Sequence, residues 1–546
     1  MARAGARLPP VWRQLPPLLL LLAAAAAAAL LAAPAGAAEP PADVPPDVAV
    51  RWSRLDTKKW NLSKLKAALP LLQPPPGFDV SLYYSGDLLN NARSLAVSGA
   101  FAAQPGPIVV YASTRLANKT YALVDADGDG AADSAHAVLE GLDTPQGMDW
   151  HGGDLYVSGW RDGKGVILRA PGIDAYALAG TVFPADELEV VTDELPADRW
   201  HGERYMRFGP DGLLYVTIGA PCDVCKERAS PSGVVYSSIY TVNVTDPAAR
   251  RGKAPLALYA RGLRNVVGLD WHPDHPNELY FTDNGRDNMG DDAPDCTLEW
   301  ADRPGLDFGF PYCHAEGEGD PYLRTIGPGL PLPDPKYNKN EAALNCSAPG
   351  SYRKPLQALG PHVAPLGLRF YRWEVGRSWP KEFDRTLIVA ERGSWDRSSK
   401  IGYRLALLRL GRDGATAKEQ AGPAAGRAGG APRVVAHEEL LTGFVGGKRG
   451  APKDKQVSWA RPVDVAQLPD GSLLISDDTG HTIFRLHYTG RPRAPPPPLP
   501  ASNGAGAGIG GGPLAGTSRA LRAQGLLLGA GVLLQAALPG GLECAL

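Results

Sequence analysis

Along the middle of the chain, apolar and polar positions are arranged in a unit that returns six times. An apolar run leads into a polar turn, often Pro-Asp-Gly, and a second apolar run follows and ends in small residues. The copies are SLAVSGAFAAQPGPIVVYAS (Ser94 to Ser113), GMDWHGGDLYVSG (Gly147 to Gly159), MRFGPDGLLYVTIG (Met206 to Gly219), VGLDWHPDHPNELYFTDNG (Val267 to Gly285), LGLRFYRWEVGRSWPKEFDRTLIVAERG (Leu366 to Gly393) and VDVAQLPDGSLLISDD (Val463 to Asp478). Each reads as a β-hairpin, with strands that alternate or are apolar throughout and turn residues between them. An isolated hairpin is marginal in water. Hairpins returning every fifty to a hundred residues or so predict four-stranded blades around a central axis. The expected fold class is all-β, a six-bladed β-propeller over residues 91–489, with a two-domain β-sandwich as the alternative. Long helical periodicity is missing, and 64 glycines with 52 prolines suit a turn-rich all-β chain.

The spacing between copies is unequal. Long segments, 286–365 and 394–462, separate the last three, which predicts insertions on one side of the ring that wall a pocket; within the second, residues 416–433 are Ala/Gly-rich and read as a loop. Residues 1–38 read as a signal peptide: Arg3, Arg7 and Arg13, an apolar run from Leu18 to Leu31, then Ala35-Gly36-Ala37. The mature protein is therefore expected to be secreted, and sequons at Asn61, Asn118, Asn243 and Asn345 make it a candidate glycoprotein. A lead-in segment spans 39–90. After His487 the composition turns Pro/Gly/Ala-rich, and the stretch 490–546 cannot bury a core. Its apolar end, Gly525 to Leu538, is shorter than the roughly twenty residues that span a bilayer. Small residues at Gly516-Thr517-Ser518, a polar spacer and that apolar end resemble a GPI-anchor signal, a glycolipid membrane anchor; a disordered secreted tail is the other reading.

Charge narrows the partners. Lys+Arg 56 against Asp+Glu 58, with no basic stripe, argues against nucleic acid and anionic membrane surfaces. Six cysteines in an oxidising compartment favour disulfides over metal thiolates. Cys222 and Cys225 are expected to form a local bridge, since Lys226 stands where covalent haem attachment needs histidine. Cys313 and Cys346 flank the first insertion and are expected to pin it, leaving Cys296 unpaired or partnered elsewhere.

Candidate chemistry gathers at strand ends, where fixed polar groups rim binding sites. Arg264 and Asn265 end one apolar run, and a loop with five aspartates, FTDNGRDNMGDDAPD, ends the next. His201 precedes the third hairpin, placed to accept a proton near neutral pH, although a lone histidine is more often a structural hydrogen-bonder. Asp125, Asp127, Asp129 and Asp133, with Gly130 for the bend, offer oxygen ligands suited to calcium; His136 stands at the twelfth position, where an EF-hand has glutamate. The loop is expected to hold a structural Ca2+, or else to be a solvated Asp/Gly turn.

Taken together, ARGLRNVVGLDWHP, GLDFGFPYCH, GAPCDVC, LGPHVAPLGLRFY, ERGSWDRSSKIGYR and RPVDVAQLPDGSLLISDD resemble the PQQ-dependent glucose/sorbosone dehydrogenase family, most closely its sorbosone dehydrogenase-like branch. The resemblance spans Asn91 to Tyr488. It implies pyrroloquinoline quinone (PQQ) lying over the mouth of a six-bladed propeller with Ca2+ beneath it. His201, eight residues before Gly209, matches the catalytic histidine. Arg264 and Asn265 match the pair that contacts the quinone, Gly285 and Arg286 the backbone calcium ligands, Asn284 a neighbour of the cofactor, and Arg461 a cofactor-binding arginine. The implied activity is oxidation of a sugar or sugar-aldehyde hydroxyl by hydride transfer to PQQ. His201 takes the proton, Arg264 and Ca2+ polarise the quinone, and electrons leave to an external acceptor. There are departures: Ala220 stands where an aspartate would orient the histidine, Arg397 or Lys400 replaces an expected lysine, and Asp295-Cys296-Thr297 departs from an expected acidic motif. The alternatives are a non-catalytic extracellular binding propeller of the same fold and a calcium-dependent lactonase-like hydrolase.

Overall fold

The computed structural model describes residues 62–99, 106–317, 323, 326–413, 430–446 and 448–491. The signal-type segment 1–38, the sequon at Asn61, most of the stretch 416–433 and nearly all of 490–546 lie outside them.

Six sheets follow in chain order, each opening with one of the repeated hairpins, and the expected six-bladed propeller is what forms. Blade one comprises Ala92–Val97, Ile108–Thr114, Lys119–Asp125 and Ser134–Leu139; blade two comprises Met148–His151, Asp154–Arg161, Lys164–Ala170 and Glu189–Leu195. Blade three is Met206–Phe208, Leu214–Ile218, Ser238–Val242 and Leu256–Arg261. Blade four is Val266–His272, His275–Asp283, Asp295–Ala301 and Gln357–Pro361, and blade five Pro365–Phe370, Leu387–Glu391, Arg404–Arg412 and Pro432–Leu441. Blade six is Pro462–Gln467, Leu473–Asp477, Thr482–Tyr488 and, on its outside, Phe78–Ser85. The six opening strands pack side by side in order, and the last packs on the first. Their starts define an upper mouth of the axis and their ends a lower one.

Turn chemistry explains the hairpins. In Gly209-Pro210-Asp211-Gly212 the Gly209 N–H donates to the Leu213 carbonyl at 2.8 Å, and Asp211 Oδ1 accepts from the Leu213 N–H at 3.1 Å. Gly212 takes φ +78°, which only glycine adopts without strain. Between blades, three aspartates act alike. Asp149, Asp270 and Asp464 each accept the N–H of the next residue, and with the other oxygen the N–H of Phe208, Phe370 or Leu95 on the following blade, at 2.8–3.0 Å. Blades two and three, four and five, and six and one are thus stapled in pairs.

Two expectations change. The lead-in 39–90 does not stop short of the propeller: Phe78–Ser85 pairs antiparallel with Thr482–Tyr488, so the fold begins before residue 91. Phe78 is buried edge-on against Trp379 (4.7 Å) and Phe383 (5.2 Å), which fixes that strand. The long segments are not pure insertions either, because they carry the outer strands of blades four and five. The first also adds Cys313–Glu316 and Leu330–Pro333, beside the Cys313–Cys346 disulfide. The Cys222–Cys225 bridge forms as well, and Cys296 is a free, buried thiol.

Candidate functional site at the upper mouth

Arg264 and Asn265 lie just before the first strand of blade four, and a carboxylate fixes both. Asp283, at the end of the next strand, accepts the Arg264 N–H at 2.9 Å and the Asn265 N–H at 2.7 Å. Burial pushes the Asp283 carboxyl up to about 6 against these hydrogen bonds. Asn284 then turns back, its amide Nδ2 donating to the carbonyls of Asn265 (2.9 Å) and Pro365 (3.3 Å). The guanidinium of Arg264 donates to the Asp223 carbonyl and carboxylate and to Asp287 Oδ2, each at 2.9 Å, and to the Asn284 carbonyl at 3.3 Å. Asp223 sits inside the Cys222–Cys225 loop, so that bridge holds a counter-charge on Arg264.

His201 occupies the loop before blade three with φ 45°, and it is 3% exposed. Close approach requires glycine opposite it: a Cβ on Gly219 would stand 2.5 Å from His201 Cβ. The next peptide joins the two candidate residues. Ala220 N–H donates to the Arg264 carbonyl at 2.7 Å, and His201 Nδ1 lies 2.9 Å from the Ala220 carbonyl. A carbonyl only accepts, so Nδ1 carries the proton and Nε2 is the basic nitrogen. Burial, and then the Arg264 charge, hold the imidazole well below its usual pKa of 6.5, so it is neutral at physiological pH. The missing aspartate is thus replaced by a backbone carbonyl, which the sequence could not reveal because every residue has one.

His201, Arg264, Asn284 and Gly285 line one cavity, together with Asp287 and His362. Asn265 packs behind, 2% exposed, and its amide Nδ2 has no hydrogen-bond partner. Arg286 lines an adjoining cavity with its guanidinium 2.8 Å from Asp334, and in the same cavity Glu299 is pushed well above the usual carboxyl range by burial. The Cys296 thiol accepts the Gly285 N–H at 3.4 Å; burial pushes it up to about 12, so it stays protonated. Arg461 lines neither cavity. Its guanidinium reaches the carbonyls of Arg392 (3.3 Å) and Gly393 (2.7 Å) and lies over the Tyr403 ring, which makes it a tie between blades five and six. Of the two lysine substitutes, Arg397 pairs with Asp292 at 3.3 Å, and the Lys400 ammonium lies over the Tyr403 ring.

The aspartate loop lies apart, between the outer strands of blade one. Ligand oxygens of Asp125, Asp127 and Asp133 gather within 4.8 Å of one another and Asp129 stands outside that group; all four carboxylates also accept backbone N–H groups of the loop. Sequence reasoning missed Asp223, Asp287 and His362. Asp223 and Asp287 stand in motifs that were noticed, GAPCDVC and DNGRDN, but their shared partner becomes visible only in three dimensions.

Fold and site define a six-bladed propeller with a histidine and an arginine meeting at one end of its axis. Residues 209–489 match the TrAA12-like family model, and the chain belongs to that family. The kinship with quinone-dependent sugar dehydrogenases drawn from its motifs holds at this level. An uncharacterized protein of Borreliella burgdorferi is 34% identical over 232 residues, 42% of this chain and 48% of that one, so the match spans about half the relative's length. Among solved structures, the calcium structure of the Trichoderma reesei carbohydrate-active enzyme of family AA12 superposes with TM-score 0.55 at 18% identity, covering 77% of this chain and 97% of that one. The holo form of the pyranose dehydrogenase PQQ domain from Coprinopsis cinerea does so with TM-score 0.55 at 18% identity, covering 79% and 98%. At such identity these two establish the shared fold.

Proposed function

We propose that the protein is a secreted quinoprotein dehydrogenase that oxidises a hydroxyl of a sugar or sugar aldehyde. The observation that carries this reading is the buried His201, its Nδ1 fixed by the Ala220 carbonyl, in one cavity with Arg264. The upper mouth fits PQQ at two points: the partnerless Nδ2 of the buried Asn265, and a guanidinium beside it. When bound, the quinone supplies the hydride acceptor. Arg264, Asn265 and Asn284 would hold it, and the backbone at Gly285 and Arg286 would offer calcium its carbonyls. Arg461, engaged between blades five and six, is left out of the cofactor's contacts. His201 takes the substrate's hydroxyl proton at Nε2, and Ala220 keeps the ring oriented while it is charged. The substrate's electron pair leaves finally to an external acceptor. A second, structural Ca2+ is assigned to Asp125, Asp127 and Asp133. The exposed sequon asparagines Asn118, Asn243 and Asn345 suit a secreted glycoprotein, and we read the tail as a GPI-anchor signal. Release from cells by phosphatidylinositol-specific phospholipase C checks that assignment.

Apo-protein given PQQ and calcium should take up the quinone saturably and then reduce an artificial dye in the presence of sugar. Failure of saturable uptake would leave the non-catalytic binding propeller as the better account. One observation favours that second reading: Arg264 is already clamped by Asp223 and Asp287, which oppose an anionic cofactor.

A further inference from the structure

The axis has a second mouth. Where the six opening strands end, they enclose a cavity of about 450 Å³, far larger than either upper cavity and within the size range of small-molecule sites. Its charged lining is three guanidiniums, Arg207, Arg369 and Arg372, and two carboxylates, Asp149 and Asp270.

One guanidinium of this lining, Arg207, is left with an unmatched donor. Both oxygens of Asp149 and of Asp270 already accept backbone N–H groups in the blade staples. Arg372 is engaged by both oxygens of Asp270 at 3.3 Å and by the Phe370 and Trp271 carbonyls at 3.3 and 3.4 Å, whereas Arg207 lies 3.7 Å from the same carboxylate, beyond hydrogen-bonding distance. Arg369 is spent on the Tyr205 hydroxyl (2.8 Å) and the Leu368 carbonyl (2.7 Å), with Asp464 behind it at 4.0 Å. Arg207 Nη1 is buried and has no hydrogen-bond partner. The Arg207 side chain is 20% exposed, but a buried Nη1 with an unused donor costs stability unless an acceptor fills the gap. Beside it the walls are aromatic: Trp150 is half-buried, and Phe208 stacks on His151 at 4.1 Å between ring centres.

We propose that this lower cavity is a binding site for a small organic carboxylate of about monosaccharide size, its carboxylate on Arg207 and Arg372 and its ring against Trp150 and Phe208. The planar fork of a guanidinium matches a carboxylate. A bare inorganic anion would satisfy Arg207 but leave most of the volume and the aromatic wall unused. The site is independent of the upper one, because its residues come from the opposite ends of the strands.

Calorimetric titration of the intact chain tests it with three probes: glucuronate, glucose, which has a like ring without the carboxylate, and inorganic phosphate. Glucuronate should bind one equivalent through Arg207, with no Arg207-dependent heat from glucose and weaker binding of phosphate at equal concentration. Arg207→Gln should weaken glucuronate about tenfold to a hundredfold, the loss of a charge-assisted bond. Arg372→Gln, whose side chain is 30% exposed, should weaken it severalfold and decides the matter if the first variant fails to fold. His201→Ala at the upper mouth should leave the affinity unchanged. Absence of glucuronate binding, equal Arg207-dependent binding by glucose or phosphate, unchanged affinity in both arginine variants, or a loss in His201→Ala would each overturn the assignment.

Discussion

At the scale of single residues, the site is governed by what holds His201 neutral. Burial dominates, the Arg264 charge adds to it, and the Ala220 hydrogen bond opposes both. A depressed pKa means that the base stays unprotonated as pH falls through 6.5, so kcat/KM for dye-linked sugar oxidation should keep its plateau below pH 6.5 and decline only at more acid pH. Arg264→Met removes a positive neighbour, so the acid limb should move up toward 6.5, alongside weaker quinone binding. A pH profile that does not move would show that burial alone sets the imidazole. His201→Ala should retain quinone uptake and lose about 10²–10⁴ in turnover, the usual contribution of a positioned general base. His201, Arg264 and Asn265 were legible because they lie in motifs. The counter-charges Asp223 and Asp287 were not, since their effect depends on where a disulfide loop and a strand-end loop meet. Arg461 was legible as a motif residue only, and its neighbours turn it to another task.

At the scale of elements, the hairpins were readable because each is closed by residues next to one another in sequence. The staples were not read, although MDWH and LDWH are followed one blade later by MRF and LRF, a repeat of two blades rather than one. Asp270 shows what a staple carries. Burial pushes its carboxyl up, but Arg207, Arg372 and Arg369 more than offset this and hold it well below the usual range. Asp270→Ala removes the carboxylate paired with Arg372 and Arg207 and frees the Phe370 N–H, so urea unfolding should show a loss of about 3–5 kcal/mol. A loss below about 1 kcal/mol would mean that the arginines re-pair or hydrate. The blade-one loop behaves differently, as its carboxylates are partly bonded to its own backbone. Calcium at about 2 mM should still stabilise the fold by roughly 1 kcal/mol, as expected for a weak extracellular-type site. Melting curves with calcium and with chelator check this, and Asp125→Ala should remove this loop's share of the difference.

At the scale of the whole molecule, a ring must be closed, and closure rests on the longest-range pairing in the described chain. The register runs from Phe78 against Tyr488 to Ser85 against Thr482, joining the first strand to the last. Local pattern could not reveal this, because nothing in either strand says which distant edge it completes; reading the fold from residue 91 left the sixth blade one strand short. Without Phe78–Ser85, the strand Thr482–Tyr488 becomes a bare edge, a template for pairing with another chain. The apolar side chains also go: Phe78, Val80 and Tyr83 are each at most 3% exposed, and burying a side chain of this size contributes about 1.5–3 kcal/mol. Their sum approaches the roughly 5–15 kcal/mol by which a folded domain exceeds its unfolded state. A chain beginning at residue 91 should therefore aggregate or melt without a cooperative transition, whereas one beginning at Leu62 should be monomeric and cooperative. Phe78→Ala, which keeps the strand but removes its anchor on Trp379 and Phe383, should fall between them with a loss of about 3–5 kcal/mol. Size-exclusion chromatography and thermal melts of the three decide it: a monomeric chain from residue 91 that melts like the one from Leu62 would show that the ring closes without its first strand.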